Sequence, residues 1–84
     1  MLNVYVITQV KSAKGRADMT VFMPDTIYVI ELKLNGTAQD ALEQINKKGY
    51  AERYATDPRH VVKVGIGFSV EEREMKEYII EHSL

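Results

Sequence analysis

The feature that most limits the folds open to this chain is a change of hydrophobic period in its middle third. From Thr26 to Leu34 the side chains alternate: Tyr28, Ile30, Leu32 and Leu34 point one way, and Ile27, Val29, Glu31 and Lys33 the other, which is a strand. Ala38, Ala41, Leu42 and Ile45 then fall at i, i+3, i+4 and i+7, one face of an α-helix. Thr37 stands at the N-cap with Asp40 three residues on, while Lys47, Lys48 and Gly49 supply a cationic last turn and a C-terminal glycine. Residues 61–68 return to a strand pattern. The helix therefore reads as a crossover that lays this fourth strand beside the third.

Two further strands are expected ahead of this unit. Residues 2–10 and 16–23 are rich in Val, Ile, Tyr and Thr, with a turn at Ser12-Ala13-Lys14-Gly15 between them and Pro24-Asp25 leading into the third. Turns this short predict an antiparallel meander. Ala51, Tyr54 and Ala55 extend the helical pattern until Asp57-Pro58 stops it. The last segment reads two ways. Ser69 with Glu72 has the form of a helix capping box, whereas Tyr78-Ile79-Ile80 suits a turn at 70–74 followed by a strand at 75–82.

Eighty-four residues suffice for one small domain, and with no cysteine neither disulfides nor a thiolate zinc site can supplement its core. Eleven basic and twelve acidic residues leave a net charge of −1, which excludes a strongly basic, arm-type nucleic-acid binder but not a nuclease, whose own carboxylates lower the sum. Residues 71–81 carry a local charge of −3 and the remainder +2, so a nucleic-acid surface is expected away from the C-terminal stretch. No apolar run approaches the length of a membrane span and the N-terminus has no export signal, which predicts a cytoplasmic protein.

Most catalytic motifs are missing. Gly65-Ile66-Gly67 lies inside a strand pattern and reads as close packing of backbone against a helix, not as a phosphate loop; His60 and His82 stand alone; no Ser-His-acid order is present. One constellation remains. Glu31 and Lys33 share a face of the third strand, about 6.6 Å apart along it, and a hairpin would bring Asp18 of the second strand beside Glu31. Adjacent carboxylates repel unless a divalent cation offsets them, and a few hard oxygens with room for water suit Mg²⁺ or Mn²⁺. A neighbouring lysine can orient water or stabilise charge developing on a phosphoryl oxygen. Taken alone, the pattern D-x12-E-x-K is also what a solvated strand face shows.

The surrounding words add to it. Gly15-Arg16-Ala17-Asp18-Met19, Thr26-Ile27-Tyr28-Val29-Ile30-Glu31-Leu32-Lys33-Leu34, Ala41-Leu42-Glu43-Gln44-Ile45 and Lys48-Gly49-Tyr50-Ala51 follow in order. Together they resemble the PD-(D/E)XK nuclease superfamily, and more narrowly the nuclease-like domain at the C-terminus of many bacterial AAA-ATPase-like proteins, over roughly residues 4–82. The resemblance implies an α/β (α+β) restriction-endonuclease-like fold with a mixed sheet in β-β-β-α-β order, and a strand at 75–82. It implies Asp18 and Glu31 as metal ligands with the Leu32 carbonyl as a third, Lys33 as the catalytic lysine and Gln44 as a helix glutamine reaching the site. It further implies Mg²⁺ or Mn²⁺ as cofactor, Arg16 as a phosphate contact and DNA as the nucleic-acid partner. Tyr50 reads as core packing.

The family's first helix has no counterpart here, so residues 1–84 read as a single domain shortened at its N-terminus, with one sheet face uncovered. That predicts a homo-oligomer, a dimer foremost. Two functions follow: a metal-dependent nuclease, or a catalytically inactive oligomerisation or protein-interaction module that keeps the fold.

Overall fold

The computed structural model describes residues 5–8 and 18–83. Among the described residues, five strands and one helix follow in the order β1 (Tyr5–Thr8), β2 (Met19–Phe22), β3 (Thr26–Leu34), α1 (Ala38–Lys48), β4 (His60–Ser69) and β5 (Glu74–Ser83), with a 3₁₀ turn at Glu52–Tyr54 after the helix. They form a single mixed sheet in which spatial order equals chain order, β1-β2-β3-β4-β5. β1–β2, β2–β3 and β4–β5 pair antiparallel, whereas β3 and β4 are parallel, joined by α1 as expected of a crossover. The fold is α+β and restriction-endonuclease-like, containing the expected β-β-β-α-β order and adding β5. The expected turn at residues 12–15 lies outside the described residues.

Each end of α1 is set by its sequence. Thr37 is extended, and its hydroxyl accepts from the Asp40 N–H at 3.0 Å. Gly49 closes the helix with φ 67°, a left-handed conformation that favours glycine; its N–H donates to the Asn46 carbonyl and the Tyr50 N–H to that of Ile45. This is the Schellman arrangement, and it folds the chain back so that Tyr50 lies under the helix it has just left.

The helix covers the face of β3 that carries Ile27, Val29 and Glu31. Ile27, Val29, Leu42, Ile45, Tyr50, Ala51 and Val61 form the core, with Phe22, Tyr54 and Ile79 packed against it. Each fully buried Ile or Val contributes about 1.5–3 kcal/mol. In the parallel register Glu31 pairs with Gly65 and Lys33 with Gly67, so both glycines face α1. A Cβ on Gly65 would come within 2.5 Å of the Ala38 carbonyl oxygen, and one on Gly67 within 2.7 Å of that of Gly36. The two glycines therefore let the helix lie directly on the backbone of β4, the close packing their position in a strand pattern predicted.

The last segment resolves as a strand. Ser69 and Glu72 do make the hydrogen bond of a cap, Glu72 N–H to Ser69 Oγ at 3.1 Å, but it closes a turn, and Arg73 at φ 57° reverses the chain into β5. Register puts Met19, Ile30, Val64 and Ile80 on the side of the sheet away from α1, along with Leu32, Ile66 and Tyr78 and with Leu34, Phe68 and Met75. Several of these are half open to solvent, with Leu34 60%, Tyr78 58% and Ile80 51% exposed. Among the described residues this broad apolar face has no helix over it. β5 is an edge strand, and its exposed Glu74, Glu77 and Glu81 discourage edge-to-edge pairing.

Candidate active site

The β2–β3 hairpin brings the first two candidates together. Met19 pairs with Ile30, and one further step of that register sets Asp18 beside Glu31. Two hydrogen bonds tie them: the Asp18 N–H donates to Glu31 Oε1 at 3.3 Å, and the Leu32 N–H donates to Asp18 Oδ2 at 2.9 Å. Asp18 was expected inside the second strand. It lies instead in the bend just before β2, where its carboxylate can reach the Leu32 amide.

The helix supplies the next member. Gln44 flanks the buried stripe of Ala41 and Ile45 and is itself half-buried over β3. Its Nε2 donates to Glu31 Oε2 at 2.7 Å, and its Oε1 accepts from Lys33 Nζ. The amide thus bridges the acid and the lysine, which stand two residues apart on one face. The four residues expected to be catalytic, Asp18, Glu31, Lys33 and Gln44, are joined in one hydrogen-bonded cluster. Arg16 lies outside the described residues.

Glu31 is only 4% exposed, so it does not belong to a solvated face. Burial pushes its carboxyl above the ordinary carboxylate range, the charge of Asp18 pushes the same way, and the Asp18 N–H and Lys33 oppose them in part. The stability consequence has a definite sign. A carboxyl raised on folding contributes stability that is complete below the unfolded value of about 4.3 and is lost as pH rises through the folded value. In chelator-treated protein, wild type should therefore lose melting temperature relative to Glu31→Gln as pH climbs from about 4 toward neutrality. A constant difference between the two across that window would contradict the assignment. The hydrogen bonds from Arg59 act oppositely on Asp57, holding its carboxyl at about 2, so the stability of that pair is present above the unfolded value of about 3.9 and is lost as pH falls from there toward 2.

The donor set fits a hard divalent cation. The Asp18 and Glu31 carboxylates adjoin, the Leu32 carbonyl belongs to the residue between Glu31 and Lys33, and Asp18 is exposed, leaving room for water. Among the described residues no set of three or more His, Asp or Glu side chains gathers as a metal cluster, so the side chains would contribute two carboxylates. Lys33, Asp40, Glu43, Gln44, Lys47 and Lys48 line an open groove alongside.

One participant was not legible as such. Tyr50, expected as core packing, is in the core, yet its hydroxyl lies 3.4 Å from Gln44 Nε2. The Lys-Gly-Tyr sequence at a helix end was the available signal, because a Schellman turn returns the residue after the glycine toward the last turn of the helix.

Comparison with known proteins identifies the family. A family model described as the PD-(D/E)XK nuclease superfamily matches residues 1–78. A curated relative from Azotobacter chroococcum mcd 1, described as an uncharacterized protein in the vnfD 5' region, is 32% identical over 72 residues, covering 83% of this chain. The chain spans 14% of that relative's length. No solved structure matches.

Proposed function

The chain belongs to the PD-(D/E)XK nuclease superfamily, and from that membership we propose that it hydrolyses phosphodiester bonds of nucleic acid, DNA foremost, with Mg²⁺ or Mn²⁺ held by Asp18, Glu31 and the Leu32 carbonyl. The observation that carries the reading is a nearly inaccessible glutamate set against a second carboxylate, with a lysine joined to it through one amide. A fold gains nothing from two adjoining acids in such a place; a cation site does. When bound, the cation supplies Lewis-acid polarisation of the phosphodiester. The chain's own groups do the rest. Lys33 presents a positive charge to a phosphoryl oxygen, and Gln44 holds that ammonium apart from the Glu31 carboxylate so that the two do not neutralise each other directly. The adjoining groove sets Lys33, Lys47 and Lys48 against Asp40 and Glu43, a small positive surplus for the backbone of the substrate strand, and Arg16 is a further phosphate contact.

Titration calorimetry with Mn²⁺ and a plasmid-nicking assay test this together. Wild type should take up the metal and nick DNA, and Asp18→Ala should do neither. Equal activity in both proteins, or none in wild type, would remove the catalytic reading and leave an interaction module. Within the superfamily we assign the chain to the branch at the C-terminus of bacterial AAA-ATPase-like proteins, on its G-R-x-D, E-x-K and K-G-Y segments.

The open face of the sheet supports a homodimer. Strands of nine and ten residues, at about 3.3 Å per residue and about 4.8 Å apart, give a face on the order of 500 Å² in projection. Side chains standing on it raise this toward the ~800 Å² per partner of a standard interface. A second copy offers the same apolar surface about a two-fold axis. Light scattering at micromolar concentration should give a dimer for wild type and a monomer for Ile80→Lys, and a monomeric wild type would refute the pairing.

A further inference from the structure

We propose that Tyr50 is a positioning residue of the site, its hydroxyl fixing the amide of Gln44 and, through it, the spacing of the Glu31 carboxylate and the Lys33 ammonium; this rests on the nuclease reading for its catalytic consequence, but not for the contact itself. A glutamine amide offers one acceptor oxygen and two N–H hydrogens. Here the oxygen accepts from Lys33 Nζ, and the nitrogen faces two acceptors, Glu31 Oε2 at 2.7 Å and Tyr50 Oη at 3.4 Å. Glu31 and Lys33 decide which end of the amide faces which partner. Tyr50 holds the nitrogen end from the third side.

The value of that third contact lies in what anchors it. Gln44 has three rotatable side-chain bonds and is half-buried, while Lys33 is long and partly solvated, so neither defines a position by itself. Tyr50 is 9% exposed, and its ring packs within the cluster of Ile27, Val29, Leu42 and Ile45. Its backbone is pinned by the N–H bond to the Ile45 carbonyl at 3.1 Å, which the left-handed Gly49 makes possible. The phenol oxygen is therefore a fixed point of the core projected to the edge of the site. Ring packing requires no hydroxyl, and a buried one is retained at a cost unless it is hydrogen-bonded. The Lys48-Gly49-Tyr50 segment, which the catalytic description leaves unused, thus carries the core's rigidity to the amide between acid and lysine.

Tyr50→Phe keeps the ring and removes only the hydroxyl. Its melting temperature should stay within a few degrees of wild type, since one long hydrogen bond is lost. In nuclear magnetic resonance spectra of the metal-free protein, the Gln44 side-chain amide signals should shift and their hydrogen exchange accelerate toward that of exposed Gln39. In the nicking assay kcat should fall on the order of fivefold at constant KM, the scale of a single neutral hydrogen bond. The same substitution should add no loss in a Gln44→Ala background. Unchanged Gln44 signals, or an equal loss of kcat in that background, would overturn the proposal. If wild type cleaves nothing, the nuclease reading fails, and the Gln44 signals alone decide this one. Should Tyr50→Phe not fold, a nuclear Overhauser contact between the Gln44 side-chain amide and the Tyr50 ring in wild type takes its place, and its absence would overturn the assignment.

Discussion

Replacing Lys33 with alanine is expected to yield a folded protein that binds Mn²⁺ at least as well as wild type but nicks DNA at least about a hundredfold more slowly. Preorganised charge aimed at a developing oxyanion is worth roughly 10²–10³ in rate, and Lys33 is the cation of this cluster. Its removal costs the fold little. The side chain is only half-buried and its ammonium meets Gln44, so its loss leaves an amide oxygen that water can satisfy. Metal affinity should not suffer, because a positive charge near Glu31 has been taken away. Lys33→Arg should restore little, since a planar guanidinium cannot place a compact charge at the same point. Wild-type rates in Lys33→Ala would end the catalytic assignment of this residue. Glu31→Gln gives the converse: no metal binding, and a metal-free protein whose stability no longer falls between about pH 4 and neutrality, because the buried titrating carboxyl is gone.

The second large effect concerns the fold itself. Gly65→Ala should lower stability by about 3 kcal/mol, which for a domain this small is a loss of more than ~10 °C in melting temperature. The new methyl would stand 2.5 Å from the Ala38 carbonyl oxygen and 2.7 Å from the Leu42 nitrogen. Both are helix backbone, which cannot rotate aside as a side chain would, so α1 has to lift from β4 and the core opens beneath it. Because Gln44 rides on the same helix, its contact with Glu31 should loosen too. A melting temperature within about two degrees of wild type would show that the helix does not rest on this glycine.

The elements were legible because each obeys a local rule. Period-two alternation marks β3, the stripe Ala38-Ala41-Leu42-Ile45 marks α1, and Thr37 and Gly49 mark its ends. What local rules cannot reveal is which face of a strand a distant helix will cover. By hydrophobicity Tyr28, Ile30, Leu32 and Leu34 are the more natural inward face of β3, yet α1 lies on the side carrying Glu31 and Lys33. The deciding residues sit on another strand, where Gly65 and Gly67 clear a bed for the helix on that side alone. The same choice buries Glu31 and turns an ordinary charge alternation into a hydrogen-bonded cluster. That Asp18, Glu31, Lys33 and Gln44 meet was foreseeable from spacing and resemblance. The Tyr50 hydroxyl was not, because its reach depends on the three-dimensional path of a Schellman turn. Residues 69–73 show the same limit, since the Ser69–Glu72 hydrogen bond serves a helix start and a tight turn equally well.

The parallel junction between β3 and β4 also bears on how the molecule comes into being. The hairpins β2–β3 and β4–β5 close over a few residues each, whereas joining β3 to β4 requires the whole stretch from Asn35 to Arg59 to be gathered first. Local hairpins form in microseconds and non-local parallel pairing comes later, so this topology predicts the crossover as the slow event. Asp18 and Glu31 meet in the early hairpin, but Gln44 arrives only when α1 docks across β3 and β4. A nascent or partly unfolded chain therefore holds the two acids without the amide that spaces Lys33 from them. The acid–amide–lysine cluster is then a property of the completed fold, assembled only when the crossover closes.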